Sequence, residues 1–452
     1  MTWKFRRSLE PHINAKPDGP RRTALKPTGN LTIGFSGGLG STVLLDLVNR
    51  YYVSPDKSLV TAEGGRDHPR NERVWKKVTV CYVEVCDAFP EMKDRTDEIR
   101  EIVQKCEGVD FLPIHIQDAF DRAWWEKMGG KPVLSQVKID MANENIPFSM
   151  LSDESLSSSL SALRTYIASL PTPTALSNAL RSLTRVLLQY AAHFTDSSHL
   201  LLGASLTSLA VSLISSISQG GGFHVREEAQ EEWFADVVQE HAEDSRHKKG
   251  KWRGGGVRVI RPLRDVGMKE CAAWAWWMQL RVVGREKWRW PGAKVGIGKL
   301  TKDFIAGLEK DYPSTVSTIV RTCGKLAPKG GTVGKCLICE RPVPEGVQEW
   351  KARISIRSHE TPSDAPVPLT SPDLTSLAPF ICYVCHTTLT SKGTRAAPPL
   401  FPPEVGTPGM VSLPSWSNAR MSVSTDGGES NTGRRIREPE MREIVKEYLL
   451  DD

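Results

Sequence analysis

The 452-residue chain contains no run of about eighteen apolar residues, so no helix of it reads as membrane-spanning. Its first residues, MTWKFRRSLEPH, lack the apolar stretch of a secretory signal, and the expected compartment is the cytoplasm. The apolar fraction of 39% is low, while 30 prolines and 36 glycines are many for a compact enzyme, which implies long insertions between ordered elements. No cysteine lies between Cys106 and Cys271, so that stretch holds no thiol for sulfur or redox chemistry. Four of the nine cysteines form two Cys-x-x-Cys pairs, a pattern of metal binding in a reducing compartment rather than of a disulfide framework.

What the chain does have is the stretch LTIGFSGGLGSTVLL, residues 31–45. It reads as a short buried strand, a glycine turn and the start of an apolar-faced helix. Consecutive glycines let several N–H groups converge on one point, and the helix adds the positive end of its dipole. Such a turn suits a phosphate or pyrophosphate. Ser36, Gly37, Gly38 and Ser41 are the candidate contacts. No Gly-Lys-Ser/Thr follows, so it is not a P-loop, and it lacks the Rossmann fingerprint.

Further β-rich stretches at Val78–Val85, Asp110–Ile116, His199–Gly203 and Val257–Leu263 alternate with helical patterns at Asp94–Cys106, Thr174–Phe194, Ser205–Ser216 and Lys269–Leu280. This alternation predicts an α/β fold with a doubly wound parallel sheet, whose ligand crevice lies at the carboxyl ends of the strands. Pro113 is the weak point of the third strand. Lys302–Leu326 reads as two helices divided at Tyr312-Pro313, and Arg434–Leu450 as a charged terminal helix.

Cys336-Leu-Ile-Cys339 and Cys382-Tyr-Val-Cys385 offer four soft ligands from two tight knuckles, which suits a closed, structural zinc site. The proline- and serine-rich gap between them can loop out without parting the ligands. His386 is a further possible ligand or a neighbour. Charge is segregated. Residues 226–244 are dominated by acids, whereas residues 245–302 hold sixteen Lys/Arg against three Asp/Glu. Blocks of this kind read as solvated surface. Within the basic block, Lys248, Lys249, Lys251, Arg253, Lys287 and Arg289 interleave with tryptophans and are candidates for RNA contact. Trp274, Trp276 and Trp277 are expected in the core.

The glycine loop resembles the SGGxDS pyrophosphate loop of the N-type ATP pyrophosphatases, the PP-loop superfamily. The superfamily's acidic residue falls at Gly40, and its second motif aligns with residues 203–210 (GASLTSLA), where Ser205, Leu206 and Thr207 replace carboxylates. The degenerate loop, GASLTSLA, VIRPLRDVGMKE, KDFIAGLEKDYPSTVSTIVRTCGKL and the CLIC…CYVC pairs are similar, in this order, to the cytoplasmic tRNA 2-thiolation protein 2 family. The resemblance implies a non-catalytic subunit, a pseudo-enzyme, paired with a catalytic sister subunit. Together they would place sulfur from a thiocarboxylated ubiquitin-related modifier on wobble uridine 34 of the lysine, glutamate and glutamine tRNAs. It also implies a link to protein conjugation by that modifier (urmylation).

On this reading, residues 1–30 are a basic lead-in. Residues 31–330 form a degenerate PP-loop domain with insertions near 54–76 and 219–256. Residues 331–393 form a zinc-binding module, 394–433 a flexible link and 434–452 a terminal helix. Members of the family usually carry another pair of cysteine knuckles before the segment resembling WKFRRSLEP, and none precedes it in this sequence. Two other functions stay open: an active, stand-alone ATP pyrophosphatase modifying a tRNA base or small molecule, and a zinc-ribbon RNA-binding module. Whether the loop holds ATP or only phosphate is equally open.

Overall fold

In the computed structural model the described residues are 1–9, 29–53, 75–133, 135–141, 143–151, 158–235, 256–284, 288, 290–326, 331–347, 376–391, 400–401 and 410–426. A six-stranded sheet forms the centre, in the order β3 (Val109–His115), β2 (Val78–Glu84), β1 (Asn30–Phe35), β6 (Ser197–Leu202), β8 (Val257–Ile260) and β7 (Glu232–Ala235). The first five run parallel and β7 pairs antiparallel with β8. The chain therefore starts in the middle of the sheet, winds outward to β3 and returns to wind the other way. The switch falls between β1 and β6, where an open α/β sheet opens its crevice.

Each strand occurs where β-branched and apolar residues cluster. β2 (VTVCYVE) is buried along its whole length, as a strand covered on both faces must be. Pro113 is accommodated because β3 is the sheet edge, where no neighbour needs its missing N–H. Helices α2 (Leu39–Val48), α3 (Thr96–Gln104) and α9 (Met268–Trp277) share a core with one face, through Ile33, Leu44, Val80 and Ile99. The 22-residue α6 (Pro173–Phe194) helps cover the opposite face. Beyond the sheet, α7 (Leu206–Ile217) packs on α8 (Val225–Ala229), α10 (Ile297–Asp311) and α11 (Pro313–Lys325) around Leu213, Ile305 and Val320. Pro313 separates the last two helices, as expected.

Three stretches carry more structure than composition suggests. Residues 136–151 supply β4 (Gln136–Asp140) and β5 (Phe148–Leu151), which join β11 (Met410–Ser412) in a small antiparallel sheet. α13 (Ser415–Asp426) follows β11, inside the stretch expected to be a link, and buries Trp416 completely. The expected insertion at 219–256 opens with α8 and β7. Its acids are not all solvated: Glu227 and Glu228 are buried against arginines, a correction to the surface reading. The tryptophans need a second correction. Trp274 is partly buried and its indole N–H donates to Asp46 at 2.9 Å, but Trp276 and Trp277 are 77% and 74% exposed. On a ten-residue helix, the face bearing Cys271 and Ala275 meets the core and the adjacent positions turn outward. The terminal helix expected at 434–450 and most of the 54–76 insertion lie outside the described residues.

His199 of β6 is buried beneath Trp75. Burial, with the nearby Arg258 cation, pushes its pKa down to about 4. The folded state thus keeps this imidazole neutral, whereas an unfolded chain protonates it near pH 6.5. The unfolded state binds the extra proton between those values, so stability falls as the pH drops from about 6.5 to 4. The expected cost is about 3 kcal/mol at the lower limit. His199→Gln should flatten this acid limb by about one proton in urea titrations run across the pH range.

Candidate functional site: a closed glycine loop and a buried four-cysteine centre

The loop predicted from the sequence lies between β1 and α2 at the carboxyl edge of the sheet, and Gly37 adopts a positive φ of 69° that favours glycine. Ser36, Gly38 and Ser41 line a cavity of about 1130 Å³. The loop largely satisfies itself. The Ser36 N–H points at Ser41 Oγ at 3.3 Å, and the Ser41 hydroxyl donates to the Gly38 carbonyl at 2.9 Å. Gly284 N–H caps the Gly37 carbonyl at 2.9 Å, which ties the segment after α9 over the turn.

Gly40 is the decisive position. A Cβ placed there would lie 2.1 Å from the carbonyl oxygen of Gly203. A Cβ on Gly203 would lie 2.5 Å from the Cα of Ser41. The β1–α2 and β6–α7 turns therefore touch backbone to backbone, and neither tolerates a side chain. No acid can stand at position 40 without parting the two turns. The cavity's own carboxylates, Glu84 and Glu227, are already engaged. Glu84 accepts from the Tyr82 hydroxyl and from the N–H groups of Val85, Cys86 and Arg95, all at 2.7–3.0 Å. Glu227 is held by Arg185 at 2.8 Å and Arg341 at 3.4 Å. Burial pushes its pKa up, but the two guanidinium groups outweigh burial and bring it to about 2. Cys271 also lines the cavity; burial, aided by Glu270 and Glu309, raises its thiol to about 12, so it is not a nucleophile at neutral pH.

The structure brings all four predicted cysteines together. Cys336 and Cys339 lie in the hairpin turn between β9 (Thr332–Lys335) and β10 (Pro342–Pro344). Glu340, with φ +57°, closes the knuckle by donating its N–H to the Cys336 carbonyl at 2.9 Å. Cys382 and Cys385 stand at the start of α12 (Tyr383–Thr390), where the helix dipole favours thiolates. The four Sγ atoms are buried and lie within 4.8 Å of one another, with Cys339 and Cys382 3.7 Å apart. A tetrahedral ion with metal–sulfur bonds of about 2.3 Å needs sulfurs about 3.8 Å apart, so the set fits a metal ion. Burial resists ionisation of Cys336, yet the three other thiols converge on it and hold it well below the ordinary thiol value. Cys382 and Cys385 are driven well above it, chiefly by their neighbours in the cluster. Four thiolates therefore need a cation among them. His386 is a neighbour rather than a ligand: one ring nitrogen meets the Glu144 carbonyl at 2.8 Å, the other the Thr390 hydroxyl at 3.1 Å.

The centre is not a separate appendage. Cys336, Cys339, Cys382 and Cys385 share one core with α6, α13 and Trp416, whose indole N–H donates to the Ile338 carbonyl at 3.0 Å. Arg185 of α6 bridges the two sites, donating to the Cys339 carbonyl and to Glu227, both at 2.8 Å. Nothing in the composition marked this buried charge network; only the spacing of acids to distant arginines, invisible in one dimension, creates it. The six basic residues singled out for RNA contact, Lys248, Lys249, Lys251, Arg253, Lys287 and Arg289, lie outside the described residues.

The sequence profile described as "Cytoplasmic tRNA 2-thiolation protein 2" matches residues 296–387, from the start of α10 through the last cysteine pair. Relatives bearing the same description match over a wider span. The one from Danio rerio is 30% identical over 193 residues, 39% of this chain and 34% of its own length. The one from Homo sapiens is 29% identical over 221 residues, 46% of this chain and 39% of its own. Over these stretches the chain is similar to the cytoplasmic tRNA 2-thiolation protein 2 family. A relative from Phaeosphaeria nodorum is 26% identical, over 52% of this chain and 57% of its own length. The matched stretch thus spans about a third of the vertebrate relatives. Among solved structures, the U34-tRNA thiolase NcsA from Methanococcus maripaludis with its [4Fe-4S] cluster is similar, with a TM-score of 0.41, 17% identity, and 71% and 76% of the two chains covered.

Because Arg185 is pinned between the cysteine knuckle and Glu227, Arg185→Met should leave a buried carboxylate poorly paired and cost about 3–5 kcal/mol in urea unfolding. Bound metal per chain should stay unchanged. Stripping the metal with a chelator should instead raise amide exchange in both α6 and α8, measured by mass spectrometry.

Proposed function

We propose that this chain is the non-catalytic subunit of a heterodimeric tRNA thiolation complex. The complex would be required for 2-thiolation of wobble uridine 34, beneath its 5-methoxycarbonylmethyl group, in the lysine, glutamate and glutamine tRNAs. Its catalytic sister subunit would carry the intact nucleotide loop and the sulfur-handling cysteines. Sulfur would come from a thiocarboxylated ubiquitin-related modifier, and the same partnership would serve protein conjugation by that modifier. The compartment on this reading is the cytoplasm. Supporting it are the family resemblance and one geometric fact above all: Gly40 and Gly203 stand in backbone contact, at the position where the resemblance puts the acid of an active loop.

In this reading Cys336, Cys339, Cys382 and Cys385 hold zinc. Zinc with four thiolates keeps no open position, so its contribution is to fix the fold. The chain's own residues do the rest. Ser36, Gly38 and Ser41, set by the turn at Gly37, line a cavity that no longer drives ATP cleavage, and Arg185 and Arg341 hold its wall against the cysteine knuckle. The reading of an active, stand-alone ATP pyrophosphatase gains no support, since neither Glu84 nor Glu227 is free to receive magnesium.

The test is reconstitution. Purified with its sister subunit, the chain should co-elute as a one-to-one complex with about one zinc per copy. Thiolation of a transcript of the lysine tRNA should require both chains, and the isolated chain should release no pyrophosphate from ATP. Thiolation at full rate by the sister subunit alone would contradict the proposal.

A further inference from the structure

The cavity that the closed loop leaves behind is large, cationic and without a seat for a divalent ion. Its volume of about 1130 Å³ exceeds the range of about 300–1,000 Å³ typical for drug-sized ligands. Lys93, Arg181, Lys294 and Lys299 contribute to its lining, as do the first turns of α2, α7 and α10, whose dipoles point positive ends inward. Against this stand two carboxylates, Glu84 and Glu227, each consumed by the internal donors described above. Among the described residues the cysteine centre is the sole group of side chains placed to hold a metal ion. Trp233 and Trp288 add aromatic faces to the lining.

A triphosphate is ordinarily handled with magnesium bridging its oxygens, held in part by a carboxylate, and this cavity leaves neither of its two carboxylates free for that. A phosphodiester chain is different. It carries one charge per residue, is neutralised by lysine and arginine without a metal, and places bases where aromatic rings can stack on them. We propose that the cavity is a metal-independent seat for a short, unpaired RNA segment, gripped through its phosphodiesters by Lys294, just before α10, and by Lys299 in its first turn, whose exposed ion pair with Asp303 at 3.5 Å leaves ammonium donors for a phosphate. This assignment rests on the tRNA-linked reading above and deepens it, by naming the ligand of a site that the lost acids have withdrawn from ATP chemistry.

The experiment uses the full chain and a fluorescein-labelled, unstructured uridine-rich hexaribonucleotide, followed by fluorescence anisotropy. Affinity should be the same in EDTA and in millimolar magnesium. It should fall with salt, and the Lys294→Ala/Lys299→Ala variant should bind about tenfold more weakly, with a log–log salt slope shallower by about 1.4. Circular dichroism and metal content of the variant should match the parent. A 4-thiouridine version of the probe should crosslink to peptides containing Trp233 or Trp288. Binding that the double variant leaves intact, crosslinks confined to residues 246–253, or displacement of the RNA by magnesium-ATP but not by ATP in EDTA would each overturn the assignment. Should the reconstituted complex still need this chain for thiolation when the isolated chain fails these tests, the RNA seat falls and the subunit reading stands.

Discussion

Two glycines in backbone contact govern what this fold can do. The β1–α2 and β6–α7 turns meet at the topological switch of the sheet, where an open α/β sheet forms its ligand crevice. Gly40 and Gly203 let them close until a Cβ on either would clash with the other's backbone. The consequence is more than the absence of one carboxylate. The space for it is gone, so any side chain at position 40 has to part the two turns. The fold keeps a mostly parallel sheet with a large cavity at the carboxyl edge of its strands, while main chain occupies the place a side chain at position 40 would take.

The second constraint is the route by which the cysteine centre belongs to the same body. In a closed four-thiolate site the ion stabilises a local knuckle. Here the knuckle is also an anchor. The Cys339 carbonyl receives Arg185, the following Arg341 grips Glu227 and Glu228, and Trp416 and Ser417 of α13 donate to the Ile338 and Leu337 carbonyls. Buried ion pairs add little net stability when intact but are costly to break. They therefore fix the relation of the knuckle to the cavity wall. The cysteine centre and the cavity wall are joined through Arg185 of α6.

Much of this was legible in one dimension, for reasons that differ by element. The parallel strands announce themselves as β-branched apolar runs, and Pro313 marks the division between α10 and α11. The glycine loop and both cysteine pairs depend on residue type and short spacing, which a sequence displays directly. What stayed hidden depends on partners far apart in the chain. Glu227 and Glu228 look like members of an acidic surface run, and only Arg185, Arg261 and Arg341 make their burial affordable. Trp276 and Trp277 look like core by composition, yet a helix of ten residues buries one face and they stand on the other. Likewise β11 and α13 sit in a proline- and serine-rich stretch whose few apolar residues, Val411, Leu413 and Trp416, suffice to bind it to the core.

The central claim is that main-chain contact between two turns has closed the acid position for good. The most direct measurement is the unfolding free energy of Gly40→Asp, with magnesium-ATP binding measured by calorimetry on the same protein. The account predicts a loss of about 3 kcal/mol or more, as overpacking against rigid backbone entails, and no magnesium-dependent binding. A variant as stable as the parent that binds magnesium-ATP would contradict it.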